Sequence, residues 1–326
     1  MSAVTPIDLP IDRSTEKQLA RGEAKIEGST AARRTKRRLT SRSATIAALI
    51  IAILWTTPTL GLLISSLRPA KEVATTGWWT IFSNWGFTFD NYVQVLAAGN
   101  TQLTMSEAFL NSIAITLPAT VIPLVIASLA AYAFAWIDFK GKDWVFIGVF
   151  ALQIVPLQMA LVPLLSLFSR GITIGGVQLF SGLNQGTSYS QVWIAHTIFA
   201  LPLAIFLLHN FVSEIPRELI EAARVDGAGH GQIFFRIILP LTMPAIAAFG
   251  IFQFLWVWND LLVALVFADG TVAPITKLLA EVTGKYGQEW HLLTAGAFIA
   301  IVIPLVVFFA LQRYFVRGLL AGSTKG

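Results

Sequence analysis

Two acidic residues stand out because the sequence around them otherwise avoids charge. Glu221 belongs to the stretch ELIEAARVDGAGHGQIFFRIILPLTMPAI, residues 218–246, which long uncharged runs flank on both sides. Asp260 is the one charge inside an apolar run, residues 245–267. An exposed carboxylate can pair with a basic group of another protein, whereas a carboxylate among apolar residues is costly unless it is paired or hydrated. Asp260 therefore suits hydrogen bonding to a polar solute or carrying a proton, whereas Glu221 belongs to a charged segment that suits contact with another protein or with the bilayer surface.

Other kinds of reactive site are missing from the sequence. The chain has no cysteine, so it has no disulfide, thiolate metal site or cysteine nucleophile. Its four histidines are scattered without the spacing of a metal site, and no G-x-x-x-x-G-K-[ST] phosphate loop is present. No acid, base or metal cluster converges, which argues against an enzyme. We expect no catalytic residue, no metal and no cofactor bound by this chain.

Composition indicates that these residues belong to a membrane protein. The chain has 326 residues, of which 55% are hydrophobic and 13% charged, and its mean hydropathy is +0.69. Soluble domains carry about a quarter charged residues. Uncharged runs of about 18 residues or more recur, long enough to cross roughly 30 Å of hydrocarbon. We predict an all-α membrane protein with six transmembrane helices, at residues 44–67, within 108–137, within 144–169, and at 192–212, 245–267 and 291–312.

Prolines and amides occur inside several of the predicted spans. Pro156 and Pro202 are examples, and proline breaks the helical hydrogen-bond ladder. Either these kinks serve helix packing, or bent helices line a pathway that opens and closes; the sequence leaves both interpretations open. Gln153, Gln158 and Asn111 are likewise candidates for a pathway or for interhelical hydrogen bonds.

The distribution of Lys and Arg predicts the orientation of the spans. Residues 1–42 are polar and end in the basic cluster ARRTKRRLTSR, which indicates a disordered cytoplasmic tail that contacts anionic lipid. With the N-terminus inside, the outer segments hold few of the 23 basic residues: Arg68, Lys71, Arg170, Lys277 and Lys285. This asymmetry agrees with the positive-inside rule and predicts that both termini are cytoplasmic. We expect a membrane domain at 43–316, whose cytoplasmic loop is 213–240, and a cytoplasmic tail at 317–326.

The predicted outer segments are short. Residues 68–107 are rich in aromatic side chains, which favours a position along the membrane interface. Residues 170–191 are rich in Gly, Ser and Gln, and residues 268–290 form a shorter loop. None of them is large enough to form a separate solute-binding domain.

The charged cytoplasmic stretch predicts two short helices joined by a turn. Pro216 fits a first helical turn, and the helix is expected to end near Val225 with Gly227 in a left-handed conformation. A second short helix, residues 232–238, is expected to lead into Leu239-Pro240, where the chain turns back to the membrane.

The first of these helices has two kinds of side chain. An apolar strip includes two small residues that permit close approach: Leu219, Ile220, Ala222 and Ala223. Charged residues lie at neighbouring helical positions: Arg217, Glu221 and Arg224. From the residues alone, this helix is either a docking knob for another protein or an amphipathic connector lying on the bilayer.

The same stretch resembles a known family. The sequence reads Glu221-Ala222-Ala223, three residues, Gly227, nine residues, and then Ile237-x-Leu239-Pro240. This spacing reproduces the EAA signature of importer permeases of ATP-binding cassette transporters without a gap. The resemblance implies a type I importer permease fold in which this loop is a coupling helix docked in a cleft of the ATPase subunit. It further implies that Glu221 engages a basic group there and that the small residues allow close docking.

Two further segments resemble carbohydrate permeases of the maltose type, in particular the alpha-glucoside branch. These are IFQFLWVWNDLLVALVF, residues 251–267, and the ending QRYFVRGLLAGSTKG. The resemblance covers roughly residues 45–326. It implies that the C-terminal tail, with Gly318, Gly322, Lys325 and Gly326, makes a second ATPase contact. It also implies that an outer loop enters the sugar cleft of a binding protein, for which the nearest segment is Thr283, Gly284, Lys285, Tyr286 and Gly287.

The fifth predicted span carries the candidate substrate pathway. Trp256 and Trp258 offer flat apolar faces that suit the C–H surfaces of a sugar, while Asn259 and Asp260 can hydrogen-bond to hydroxyl groups. A charge within a membrane span marks a functional site by default. The alternative is that Asn259 and Asp260 bond to a neighbouring helix and fix its packing or gating, and the sequence leaves both open.

The resemblance implies a function and a set of partners. The function is the permease subunit of an importer that moves a sugar, an alpha-glucoside such as a maltose-like disaccharide, across the bacterial cytoplasmic (inner) membrane. The partners would be a second, different permease subunit, two ATP-binding subunits that carry ATP and Mg²⁺, an extracytoplasmic solute-binding protein, the sugar and membrane lipid, with no nucleic acid. The alternative is a proton-coupled secondary transporter that uses Asp260, although such folds usually show repeated halves and none is evident.

Overall fold

The computed structural model describes residues 42–183, 188–285 and 289–321, without the side chains of 282–285 and 312–321. The described chain is almost entirely helical. In chain order its α-helices are α1 (Arg42–Ser66), α2 (Ala70–Thr75), α3 (Asp90–Ala97), α4 (Met105–Trp136), α5 (Lys142–Ala151), α6 (Leu157–Arg170), α7 (Ser190–Ser213), α8 (Arg217–Val225), α9 (His230–Ile233), α10 (Leu239–Trp258), α11 (Leu262–Phe267), α12 (Ile275–Lys285) and α13 (Trp290–Ala321).

Within the described residues, five helices are long and apolar enough to cross a membrane. They are α1, α4, α7, the continuous helix His230–Trp258 that α9 and α10 form, and Trp290–Leu311 of α13. A sixth crossing results if the bent pair α5–α6 counts as one span. With the bent pair counted as one span, a candidate crossing lies at each of the six predicted positions. By its contacts the chain divides into residues 1–61 and 62–326, and the packing described next belongs to the second unit.

Helices α4 and α7 form the centre of this unit. A capping box starts α4, in which Glu107 N–H bonds to Thr104 Oγ1 at 3.4 Å and Thr104 N–H bonds to Glu107 Oε2 at 2.8 Å. Small side chains at the helix contact are fully buried: Ala119, Ala127, Ala131, Ala195 and Ala204. Small residues let two backbones approach closely, which compensates for the weak hydrophobic driving force between helices in lipid.

Three hydrophobic clusters surround this pair. One joins α4, α7 and α10 to the loop that contains α8, through residues such as Leu208, Ile220 and Ile238. A second joins α4, α6, α7 and α11 around Phe168 and Phe267. A third packs α3, α4, α12 and α13 together. Amides also connect these elements, as Asn111 Nδ2 donates to Thr271 O and Ala273 O at 2.9 and 3.0 Å. Asn111 thus bonds α4 to the turn between α11 and α12, and not directly to another membrane helix.

The third predicted span is broken rather than straight. Helix α5 ends in a 3₁₀ turn at Leu152–Ile154, and α6 starts at Leu157 at an angle of 105° to it. Pro156 supplies no N–H to the ladder, and the residue before a proline avoids helical dihedral angles; Val155 is accordingly extended, with φ −70° and ψ 118°.

The fifth predicted span, residues 245–267, was wrong at both ends. It begins earlier, because a π-helical turn at Phe234–Ile238 joins α9 to α10. Leu239-Pro240 therefore continues a helix and does not turn the chain. Pro240 lies in the first turn of α10, directly after this π-helical turn. The span ends at Trp258, so Asp260 follows the helix and does not lie inside it.

The segments between helices that were predicted to lie outside contain regular secondary structure. The segment 68–107 folds into α2, a 3₁₀ turn at Trp78–Phe82, and α3, around the buried guanidinium of Arg68. Arg68 Nη2 donates to Thr76 Oγ1 at 2.6 Å and to Thr80 Oγ1 at 2.9 Å. The segment 170–191 contains an antiparallel hairpin of β1 (Ile172–Ile174) and β2 (Val177–Phe180).

The expected C-terminal tail, 317–326, is described only as far as residue 321. Helix α13 extends through Ala321, so residues 317–321 continue the helix of the last span. The N-terminal tail that we expected at 1–42 lies outside the described residues, except for Arg42, which begins α1.

Candidate functional site

Helix α8 carries the first candidate site, and its two ends follow from its sequence. Pro216 caps the N-terminus with φ −56° and ψ 133°. At the other end Gly227 adopts φ +81°, a left-handed conformation that side chains disfavour. Gly227 N–H bonds to Arg224 O at 3.0 Å, and Ala228 N–H bonds to Ala223 O at 2.9 Å. These two bonds form a Schellman motif, and they confirm the predicted end of the helix.

The apolar residues of α8 divide between two faces, so they do not form one strip. Ile220 is 1% exposed, and Ala223 packs beside it against the cluster that joins α8 to the membrane helices. Leu219 and Ala222 lie on the outer side with Val225, which is 87% exposed. The face of α8 that carries Ile220 and Ala223 is thus already covered by this chain. What α8 presents outward is an apolar ridge of Leu219, Ala222 and Val225.

Glu221 is exposed beside this ridge. Within the described residues its carboxylate forms no ion pair and no hydrogen bond, although Arg217 and Arg224 stand at neighbouring helical positions. Arg224 points elsewhere, since its Nη2 donates to Trp136 O at 3.4 Å. The carboxylate of Glu221 is therefore available to a basic group beyond the described residues.

Hydrogen bonds fix the α8 loop to the C-terminal end of α4. The Tyr132 hydroxyl and His230 Nδ1 are 2.8 Å apart, and the Tyr132 ring also meets Phe234 edge to face at 5.5 Å. Trp136 Nε1 donates to Val212 O at 3.3 Å, which ties α4 to the end of α7. Sequence analysis did not identify Tyr132, Trp136 or His230 as functional. Their pairings span 76 to 98 residues along the chain, and no periodicity indicates such a contact.

The rest of the signature connects α8 to the membrane helix that follows. Ile237 and Leu239 are half-buried and pack against the same cluster as Ile220. Pro240 is exposed at the beginning of α10. Ile237 and Leu239 therefore hold the continuous helix His230–Trp258 to the loop, while Glu221, Ala222 and Gly227 are exposed.

The four candidate pathway residues do not form a single site. Trp258 is buried between Phe109 and Phe254, and its Nε1 donates to Ala300 O at 2.9 Å. Asn259 is exposed, and its Nδ2 donates to Leu255 O at 2.7 Å. Trp256 lines a separate cavity of about 380 Å³ at the break between α5 and α6.

Asp260 has a local structural role. Its Oδ2 accepts hydrogen bonds from Val263 N–H at 2.9 Å and from Ala264 N–H at 3.2 Å, and so caps α11. The same oxygen lies 3.8 Å from His196 Nε2, beside a cavity of only about 10 Å³. That volume is about enough for one water molecule. The contacts of Asp260 fit the packing alternative, because a capping carboxylate satisfies otherwise unpaired backbone donors.

The two predicted terminal contact segments are only partly described. Thr283, Gly284 and Lys285 are the last residues of α12, so they are helical and do not belong to a loop. Gly318 belongs to α13. The remaining predicted contacts lie outside the described residues: Tyr286, Gly287, Gly322, Lys325 and Gly326. In the described part of the chain, no three acidic or His side chains are grouped so that they can hold a metal ion.

Comparison with known proteins extends these observations. The family model described as "Binding-protein-dependent transport system inner membrane component" matches residues 123–320, which include α8 and all of the signature. The osmoprotective compounds uptake permease protein of Synechocystis sp. is 54% identical over 86% of this chain and 91% of its own length. The alpha-glucoside transport system permease protein of Rhizobium meliloti is 39% identical over 86% of this chain and 96% of its own length.

The fold also occurs in a solved structure. One chain of a bacterial ABC transporter involved in the import of the acidic polysaccharide alginate superimposes with a TM-score of 0.61. The match covers 87% of the chain described here and 99% of the other, at 17% sequence identity. At this identity the likeness extends to the fold and not to the substrate.

Proposed function

Because this chain belongs to the family of binding-protein-dependent transport system inner membrane components, we propose that it is a sugar-conducting permease subunit driven by a separate ATPase. The chain is a multi-pass membrane protein with the permease fold, and it is not an enzyme. The proposed cargo is an alpha-glucoside such as a maltose-like disaccharide. The name of the Rhizobium meliloti relative supports that class, while the more similar Synechocystis relative is named for osmoprotective compounds.

One observation carries this proposal. Glu221 is exposed without a partner in the described chain, beside an apolar ridge on a helix whose other face is anchored to α4 and α10. Such a helix can dock into another protein and pass a displacement to the membrane helices. A connector that lies on the bilayer needs no unpaired carboxylate and no rigid attachment.

The proposed assembly follows from this arrangement. The ridge of Leu219, Ala222 and Val225, together with Glu221, would dock in a cleft of a cytoplasmic ATPase that provides a basic group. A second, different permease subunit would complete the pathway, and an extracytoplasmic binding protein would deliver the sugar. The cytoplasmic position of both termini and of the tail at 317–326 is part of the same proposal.

A proton-coupled secondary transporter is the weaker alternative. It requires Asp260 to exchange protons with water along the transport pathway. This carboxylate instead accepts two backbone hydrogen bonds at the start of α11. Family membership also favours coupling to ATP.

Reconstitution in vesicles tests the proposal. The complex of this chain with its second permease subunit, ATPase subunits and binding protein should accumulate labelled maltose only with ATP and Mg²⁺. A protonophore should leave that accumulation unchanged. The isolated chain should accumulate nothing. Uptake that persists without ATP and stops with the protonophore would refute the proposal and support the alternative.

A further inference from the structure

The break in the third span borders a cavity that no part of the coupling machinery uses. This cavity has a volume of about 380 Å³, and its lining comes from the 3₁₀ turn at Leu152–Ile154, the two residues that follow it, α6, α7 and α10. Its principal residues are Gln153, Pro156, Ala160, Phe199, Pro202 and Trp256. Sites for small molecules generally measure about 300–1,000 Å³, so the cavity is large enough for a mono- or disaccharide.

The polar groups in this cavity are few and unpaired. Within the described residues, neither the side-chain amide of Gln153 nor the indole N–H of Trp256 has a hydrogen-bond partner. The amide can donate and accept, and the indole can donate. An unpaired polar group in a membrane span is costly, which favours a ligand that supplies the missing bonds.

The ring of His196 supports one side of the Trp256 indole. The Trp256 ring meets His196 edge to face at 6.2 Å, and His196 is in turn 3.8 Å from Asp260 Oδ2. The indole therefore has support on one side and a half-exposed surface on the cavity side. A fixed aromatic face next to a donor and an amide complements a sugar ring, which has apolar C–H faces and hydroxyl edges.

The helix break adds backbone groups to the same place. The last carbonyls of a helix and the first N–H groups of the next lack intrahelical partners. At a break inside a membrane span, such groups are tolerated where they line a cavity, and transporters use them to bind substrates. Pro156 fixes the break, and both it and Val155 line the cavity.

The lining also indicates the charge of the ligand. None of the side chains that line the cavity is ionisable. A charged substrate would lose its hydration there without gaining a counter-charge, whereas a neutral polyol loses less. An acyl chain would fill the apolar wall but would leave the amide of Gln153 unpaired.

We infer that this cavity is a subsite for a neutral sugar, with Trp256 as its stacking face and Gln153 as its hydroxyl-binding amide. The inference rests on the proposed sugar-import function. It assigns sugar contact to this subunit and locates it at the broken third span, away from Asp260.

The absence of cysteine from the sequence permits a direct test in the reconstituted complex. Ala160→Cys places a single thiol in the cavity, and Arg170→Cys places one at the far end of the same helix, α6. The rate of modification by a small permeant thiol reagent is measured with and without maltose, trehalose or glucose. A transported sugar should slow modification at position 160 and leave position 170 unchanged.

Substitutions then identify the contacts. Gln153→Leu and Trp256→Leu should each raise the sugar concentration needed for half-maximal protection and uptake by about tenfold, which is the usual effect of losing one good hydrogen bond. Trp256→Phe keeps an aromatic ring and should raise this sugar concentration less than Trp256→Leu does. ATPase subunits should copurify normally with all three variants.

The outcomes separate the two proposals. ATP-dependent uptake with no protection of position 160 by the transported sugar would refute the subsite and leave the import function intact. Protection that survives both leucine substitutions would also refute it. If none of these sugars is taken up or protects the thiol, both the subsite and the assigned cargo class are wrong.

Discussion

At the scale of single residues, the carboxylate of Glu221 has a distinctive position. It is exposed on α8 without a partner in the described chain, although two arginines occupy helical positions near it. Glu218, on the same helix, is also exposed and lies outside the signature. Comparing substitutions of Glu221 and Glu218 therefore separates the effect of one specific carboxylate from the effect of removing one negative charge.

We predict that Glu221→Ala weakens binding of the ATPase subunit and that Glu218→Ala does not. A hydrogen bond to a charged group contributes about 1.5–3 kcal/mol, so the loss of affinity should be roughly tenfold to a hundredfold. The measurement is the salt dependence and affinity of ATPase binding to purified chain in detergent. Both variants should insert in the membrane at normal levels. Equal loss for the two variants would contradict a specific docking role.

Gly227 provides a second test, because its surroundings are open. A Cβ placed there would meet nothing within 4 Å, so the cost of a side chain comes from φ +81° and not from a clash inside the chain. A left-handed residue costs roughly 1–2 kcal/mol, less for Asn and more for a β-branched side chain.

We predict that Gly227→Val abolishes uptake, because it both strains the loop and puts bulk on the docking surface. Gly227→Asn should relieve the strain but keep part of the bulk, so uptake should be reduced and thermal unfolding nearly unchanged. Paired measurements of uptake and unfolding temperature distinguish the two effects. Normal uptake by Gly227→Val would count against a docking role for this surface.

Tyr132 tests the attachment of the loop. Tyr132→Phe removes the hydroxyl that meets His230 but keeps the ring against Phe234. We predict that ATP hydrolysis continues while sugar uptake per ATP falls, because the loop can then move without moving α4. The loss of stability should be about 0.5–1.5 kcal/mol.

Tyr189→Phe is the matched control for this prediction. It removes a comparable hydrogen bond, from the Tyr189 hydroxyl to Asn111 Oδ1 at 2.6 Å, remote in sequence from the loop. Its stability should fall by a similar amount with uptake per ATP preserved. Equal uncoupling by both substitutions would mean that general destabilisation, and not the loop attachment, causes the effect.

At the scale of elements, the broken third span is the feature that distinguishes this bundle from six straight helices. Pro156 lies at the break, whereas Pro163 lies inside α6 without ending it. The two prolines share a segment and differ in their structural effect.

We predict that Pro156→Ala allows α5 and α6 to join, reduces the cavity and lowers sugar uptake strongly, while assembly with the ATPase persists. Pro163→Ala should leave uptake near normal. The measurement is uptake together with thiol modification of Ala160→Cys in each background. Full uptake by Pro156→Ala would show that the break is not needed for transport.

The elements also show what a sequence can and cannot predict here. The length of the uncharged apolar runs located the spans, because a bilayer requires a similar length of every helix that crosses it. Hydropathy did not place the end of the helix at Trp258, because the residues on both sides of Asp260 are equally apolar. The pair Asn259-Asp260 did contain a usable signal, as Asp and Asn favour the position that starts a new helix. The prolines left open whether kinks serve packing or bent helices line a pathway, and they did not indicate that the helix breaks at Pro156 and continues through Pro202.

At the scale of the whole molecule, orientation is the property that remains to be measured. The basic residues predict that α8 is cytoplasmic and that the end of α6 is outside. We predict that Ala222→Cys is modified by an impermeant thiol reagent only after cells are permeabilised, and that Arg170→Cys is modified in intact cells. Reversal of this pattern would refute the predicted orientation and the docking role of α8 together.

The continuous helix His230–Trp258 has a consequence for coupling at this scale. It has 29 residues, so at 1.5 Å per residue it is about 43 Å long. One end bonds to Tyr132 beside the docking loop, and the other carries Trp256 at the cavity. Where this helix moves as one body, a small tilt at its α8 end becomes a lateral shift of several ångströms at its cavity end. Under the proposed docking of α8, a displacement of that loop by the ATPase would therefore shift the aromatic wall of the cavity directly.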